Sequence, residues 1–260
     1  TAQLIETLAN NPGITWVQVP FSGVETYLPY IDETRTWTSA KGVFGGAVAE
    51  LALGLLLGGM RHIAGYAREQ QWTEDHGRTL FGARVTILGA GGIAQSLISM
   101  LKPFNCHITV VRNREGDVPG ADVVLTTSRL HEALLRADAV LMAIALTPLT
   151  HGIMGKAEFE LMQSHAWIVN VGRGKQIVTD DLVWALETGQ IGGAALDVTD
   201  PEPLPTGHPL WSLPNCIITP HVGNTAEMVP PLLALRIAEN VRRFAAGEQL
   251  IGIVDRTVGY

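Results

Sequence analysis

The stretch RVTILGAGGIAQSLISML, residues 84–101, constrains the fold more than any other part of this chain. An apolar run enters a turn with glycine at 89, 91 and 92, and apolar positions then repeat at helical spacing until Pro103. A strand that passes through a glycine turn straight into a helix opens a βαβ unit. Parallel strands joined this way carry helices on both faces and read as nearly continuous apolar runs. Such runs follow: HITVVR (107–112), DAVLMAIAL (138–146), AWIVNVG (166–172), GGAALDV (192–198) and NCIITPH (215–221), with ADVVLTT (121–127) a strand or a loop edge. Between them LHEALLRA (130–137), KAEFELMQ (156–163) and DLVWALETG (181–189) read as helices, the last capped by Thr179 or Asp180 and ended by Gly189. The fold class is therefore α/β, a doubly wound parallel sheet.

The flanks are less regular. ITWVQVP (14–20) reads as one strand, and VFGGAVAELALGLLLGGM (43–60) as a buried helix suited to packing against a second subunit. Its uncharged part, 51–60, is too short to span a bilayer. A C-terminal helix near 230–246 returns to join the N-terminal segment. Hydrophobic residues make up 47% and charged residues 17%, enough for a substantial core. A formal charge of −7 argues against a nucleic-acid or anionic-membrane partner. Cys106 and Cys216 match no metal spacing and read as core thiols, and the histidines show no ligand spacing, so no metal is expected. With no secretory signal visible, a reducing cytoplasm is the expected compartment.

Gly89 and Gly91 take the first two places of G-x-G-x-x-G, with Ala94 in the third. Gly89 permits the tight turn and Gly91 lets backbone approach a pyrophosphate. Gly92 and Ile93 then open a helix whose free N–H groups face that phosphate. About 20 residues beyond such a turn an acid usually holds the ribose hydroxyls; here VVRNRE places Arg112 there. Arginine reverses the preference, because its planar fork suits the oxygens of a 2′-phosphate. Asn113 can add a hydrogen bond and Arg114 a second charge. NADP(H) is favoured as cofactor, with NAD(H) possible if these arginines are only solvated strand-end charges.

Three polar residues follow later strands: Arg173 in NVGRGK, Glu202 in DPEPLP and His221 in TPHVGN. Taken singly, each could be a solvated loop residue. Together, at the carboxyl ends of parallel strands, they suit hydride transfer to a carbonyl. Arginine binds a carboxylate bidentately and polarises the carbonyl, histidine gives or takes the proton, and glutamate beside it stabilises imidazolium.

The segments VNVGRG, ALDVTDPEPLP, HPLW and ITPHVGN, with AVAELALGLLL, LFGARVTILGAGGIA and TPLTHGIM, resemble the signature segments of the D-isomer-specific 2-hydroxyacid dehydrogenases, from about residue 43 to 245. The resemblance implies a Rossmann cofactor domain (48–225) inserted into a flavodoxin-like substrate domain (1–47 and 226–260), closing about a hinge. Against that pattern the substrate domain is expected to be N-terminally incomplete. It also implies Arg173 as substrate anchor, Glu202 and His221 as proton-relay pair, and Asp197 near the nicotinamide carboxamide. Val171, Gly172 and Gly223 join the cofactor-binding set, and the N–H groups of Gly23 and Val24 meet the substrate carboxylate. A homodimer through the helix from about 48 is implied as well. The activity implied is reduction of a small 2-keto acid such as glyoxylate or hydroxypyruvate. A nucleotide-sensing corepressor of the same fold and a phosphoglycerate dehydrogenase-like NAD enzyme are the alternatives.

Overall fold

The computed structural model describes residues 2–255. The chain divides into two compact units, with breaks after Phe44 and after Gly223 where the resemblance implies 47 and 225; the long apolar helix begins at Gly45, two residues inside the expected 43–60.

The smaller unit opens with a helix, Ala2–Asn10 (α1), and two short parallel strands, Trp16–Gln18 (β1) and Thr36–Thr38 (β2), with Trp16 opposite Thr36. Helix α1 and strand β2 escape the sequence reading. The first shows one clear apolar face in only nine residues, and TWT sits in a polar stretch too short to show alternation. Leu8, Val17, Val19, Val24, Tyr27, Ile31, Trp37 and Val254 form this unit's core.

The larger unit begins with Gly45–Met60 (α2) and Ile63–Tyr66 (α3). The alternation then follows: Arg84–Leu88 (β3), Gly92–Leu101 (α4), His107–Arg112 (β4), Val123–Thr126 (β5), Leu130–Leu134 (α5), Ala139–Met142 (β6), Lys156–Leu161 (α6), Trp167–Asn170 (β7), Thr179–Glu187 (α7), Gly193–Leu196 (β8) and Cys216–Ile218 (β9). They build a seven-stranded parallel sheet in the order β5-β4-β3-β6-β7-β8-β9. Every residue of β6, β7 and β8 is buried, as strands covered on both faces must be. The chain runs outward from β3 to β5, then returns to lay β6 on the other side of β3. That reversal is a topological switch point, and a ligand crevice forms there beyond the strand ends.

Two local expectations are corrected. Strand β6 stops at Met142 instead of 146, because the backbone at Ala143 turns to pack against Gly89. Neither Thr179 nor Asp180 caps α7. Val178 holds the N-cap position, and the Thr179 hydroxyl instead donates to the Asp200 carbonyl at 2.6 Å. Gly189 does follow the end of α7 with φ +67°. The ADVVLTT segment resolves as the edge strand β5.

The last helix, Val229–Ala246 (α8), returns to the smaller unit and ends at Gly247 with φ +69°. Its buried Asn240 donates to Gln18 Oε1 and to the Ile251 carbonyl, both at 3.0 Å, and so ties α8 to β1. Cys216 is buried in the larger unit, where burial pushes its thiol up to about 12, and burial also raises Cys106. Both thiols are held away from the reactive thiolate form. Among the described residues no helix is long and apolar enough to cross a membrane, and no cluster of His, Cys, Asp or Glu could hold a metal ion.

Candidate active site

The glycine turn lies at the switch point. Gly89 has φ +112°, its N–H donates to the Val111 carbonyl at 2.8 Å, and a β-carbon there would collide with the Ala143 carbonyl. Gly89→Ala should therefore cost about 2–4 kcal/mol, backbone strain plus steric conflict. A fall in the thermal midpoint checks this, and an unchanged midpoint would mean that the turn can relax. Gly91 is the N-cap of α4, and a β-carbon on it would meet no protein atom within 4 Å. Protein packing thus explains Gly89 but not Gly91, whose open front, with the N–H groups of Gly92 and Ile93 behind it, fits a pyrophosphate. Ala94 is fully buried, as the third position requires.

Arg112 is the last residue of β4, one step beyond the carbonyl that takes the Gly89 N–H, so it leaves the sheet beside the turn. Asn113 and Arg114 follow it, exposed. Among the described residues neither Arg112 nor Arg114 has a carboxylate partner, although Arg129 nearby pairs with Glu132 at 2.6 Å. The residues at this position fit a 2′-phosphate better than bare ribose hydroxyls.

The catalytic candidates come from three adjacent strands. Asn170, Leu196 and Ile218 are in register across β7, β8 and β9. Arg173 lies three residues past the first, Asp197 one past the second and His221 three past the third. The buried Val171 and Gly172 lead from β7 to Arg173. A β-carbon at Gly174 would collide with the Thr199 carbonyl, so the Arg173 loop rests directly on the loop that carries Glu202. His221 Nδ1 meets Glu202 Oε1 at 2.6 Å, and the Thr199 N–H reaches the other glutamate oxygen at 3.4 Å. With Glu202 ionised, Nδ1–H donates and Nε2 is the nitrogen left to exchange a proton. Both side chains are nearly half exposed, at 49% and 42%. A pair so exposed contributes little to stability, which favours a chemical use for it.

His221 has φ +53°, an unusual conformation for a residue with a side chain. Asp197 enforces it. Its carbonyl takes the His221 N–H at 2.9 Å, and its carboxylate takes the Thr219 hydroxyl at 2.6 Å and the N–H groups of Val222 and Gly223 at 2.9 Å. Only 3% exposed, Asp197 is thus the scaffold of the histidine turn, a role the sequence reading does not give it.

Residues 53–223 match the family model described as D-isomer specific 2-hydroxyacid dehydrogenase, NAD binding domain. The chain belongs to the D-isomer specific 2-hydroxyacid dehydrogenases. A Corynebacterium melassecola relative, named as an uncharacterized protein in the proB 3′ region, is 39% identical over 255 residues, covering 95% of this chain and 84% of that one. The human glyoxylate reductase/hydroxypyruvate reductase is 35% identical over 211 residues, covering 78% of this chain; the match spans 64% of the human protein. Among solved structures, the D-isomer specific 2-hydroxyacid dehydrogenase of Xanthobacter autotrophicus Py2, in complex with NADPH and MES, superposes with a TM-score of 0.86 at 29% identity. That match covers 97% of this chain and 81% of the other.

Other positions of this dehydrogenase are placed as follows. Gly23 and Val24 lie in a loop of the smaller unit. The Val24 side chain enters that unit's core, and among the described residues neither N–H has a protein acceptor. Trp211 is half exposed, its indole N–H donating to the Pro205 carbonyl at 3.0 Å. Two buried residues absent from the sequence reading hold the Arg173 loop. Asn170 donates to the Arg173 carbonyl at 3.0 Å, and Gln176 accepts the Arg173 N–H at 2.9 Å. The only sequence signal for them is a polar residue where an apolar one would pack.

Proposed function

We propose that this protein reduces a small 2-keto acid, with glyoxylate and hydroxypyruvate the favoured substrates, to the D-2-hydroxy acid with NADPH. The observation that carries this is the Glu202–His221 pair at the sheet end, against whose loop the Arg173 loop is packed. The name of the human relative and the NADPH in the Xanthobacter structure support the same reading.

NADPH, when bound, supplies the hydride. Arg173 would take the substrate carboxylate with its fork and polarise the adjacent carbonyl. His221 would deliver a proton from Nε2 to the carbonyl oxygen as it becomes alkoxide, while Glu202 stabilises the imidazolium through Nδ1. Gly89, Gly91, Gly92 and Ile93 would cradle the pyrophosphate, and Arg112, Asn113 and Arg114 the 2′-phosphate. Val171, Gly172, Asp197 and Gly223 belong to the nicotinamide end, and Gly23 and Val24 to the substrate carboxylate. A homodimer formed through α2 and the segment after it completes the reading. Ile63, Phe81 and the fully exposed Trp72 support it. A cytoplasmic location goes with it, since both thiols are free.

The cofactor assignment has a direct test. Arg112→Asp removes charge-assisted hydrogen bonds to the phosphate and adds repulsion. It should move the NADPH:NADH ratio of kcat/KM toward NADH by about 10- to 100-fold. An unmoved ratio would take Arg112 out of the cofactor site.

A further inference from the structure

A fully buried glutamine sits at the third residue after Arg173, at the end of the short turn Gly174–Gln176 and next to the exposed Lys175. Its two side-chain groups serve two different loops. Oε1 accepts the backbone N–H of Arg173 at 2.9 Å, and Nε2 donates to the Ile144 carbonyl at 2.8 Å. Ile144 belongs to the segment just after β6 that packs against Gly89 at the glycine turn. Gln176 backbone groups are engaged as well: its N–H donates to the Arg173 carbonyl at 3.2 Å and its carbonyl accepts from Met154 at 3.1 Å. Burying a carboxamide is unfavourable unless both its ends are satisfied, and here both are. A leucine or methionine would fill the same space but leave the Arg173 N–H and the Ile144 carbonyl without partners. Asn170 fixes the same loop from the other side, through the Arg173 carbonyl and the Gly172 N–H. The backbone of Arg173 is therefore clamped at both its N–H and its C=O by buried amide side chains.

We propose that Gln176 is a positioning residue for Arg173, linking the arginine loop to the loop that abuts the glycine turn and thereby setting where the guanidinium meets a bound carboxylate. This rests on the keto-acid reading only where substrate is concerned; the clamp itself is a statement about the backbone.

The test compares wild type with Gln176→Met, which keeps volume and loses both polar ends, and Gln176→Glu, which keeps an acceptor for the Arg173 N–H. For Gln176→Met, KM for glyoxylate should rise and kcat/KM fall by about 10- to 100-fold, the size of a small misplacement of a reacting partner. NADPH binding, followed by its fluorescence, should stay within about twofold, since the glycine turn itself is untouched. Hydrogen exchange at the Arg173 amide should quicken in Gln176→Met and recover in Gln176→Glu, while KM should recover only in part, because glutamate restores the Arg173 acceptor but not the donor to the Ile144 carbonyl. A lower kcat at unchanged KM would show packing alone and overturn the proposal, as would an Arg173 amide equally protected in all three proteins. If Gln176→Met does not fold, a Gln176→Glu protein with quickened exchange at Arg173 or with wild-type KM overturns it too, and one with wild-type exchange and a raised KM supports it. Absence of keto-acid turnover in wild type would sink the functional reading, while the amide exchange would still decide the role of Gln176.

Discussion

Replacing His221 with Gln is expected to lower turnover by about 100- to 10,000-fold, the usual contribution of a positioned general acid. Gln keeps hydrogen-bonding capacity and approximate size but cannot deliver a proton from the place of Nε2. The backbone should hold its shape, because Asp197 binds the turn through the main chain at 221, 222 and 223, leaving the His221 side chain outside that scaffold. NADPH binding should therefore survive while chemistry is lost. Glu202→Gln should fall in the same direction by a smaller factor, since it removes the charge that stabilises imidazolium but leaves the histidine in place. Turnover unchanged in His221→Gln would remove the residue from proton transfer.

Arg173→Ala should be comparably severe and differ in character. Two charge-assisted hydrogen bonds to a carboxylate, each worth about 1.5–3 kcal/mol, correspond to a loss of about 100- to 10,000-fold in kcat/KM. The loss should appear in KM as well as kcat, because the same guanidinium binds the ground-state carboxylate and polarises the carbonyl. Arg173→Lys should recover only part of it, since an ammonium keeps the charge without the planar fork. Initial rates over a range of keto-acid concentration separate the two parameters. An alanine variant with wild-type KM would mean that the carboxylate is held elsewhere.

Much of this was legible in the sequence wherever one residue type has one physical use. The glycine turn, the parallel strands and the residues at their ends could be read because apolar runs bounded by glycine, proline and a single polar residue leave few alternatives. The pairing of Glu202 with His221 was expected from their placement and appears at 2.6 Å. What could not be read depends on tertiary partners. Helix α1 and strand β2 are too short for their periodicity to stand out. The early end of β6 is imposed by packing between Ala143 and Gly89, residues far apart in the chain. The resemblance implies that Asp197 lies near the nicotinamide; that its carboxylate holds the histidine turn is a separate fact that only three-dimensional proximity reveals. Gln176 and Asn170 carry little distinguishing signal in the sequence, and only their burial and hydrogen bonds show that they hold Arg173.

The most direct measurement is the initial rate of cofactor oxidation by the purified protein, with NADPH and NADH side by side, on glyoxylate and on hydroxypyruvate. Faster oxidation of NADPH that depends on the keto acid is the predicted result, and it assigns both the reaction and the reading of Arg112. NADPH binding without turnover of either acid would contradict the account.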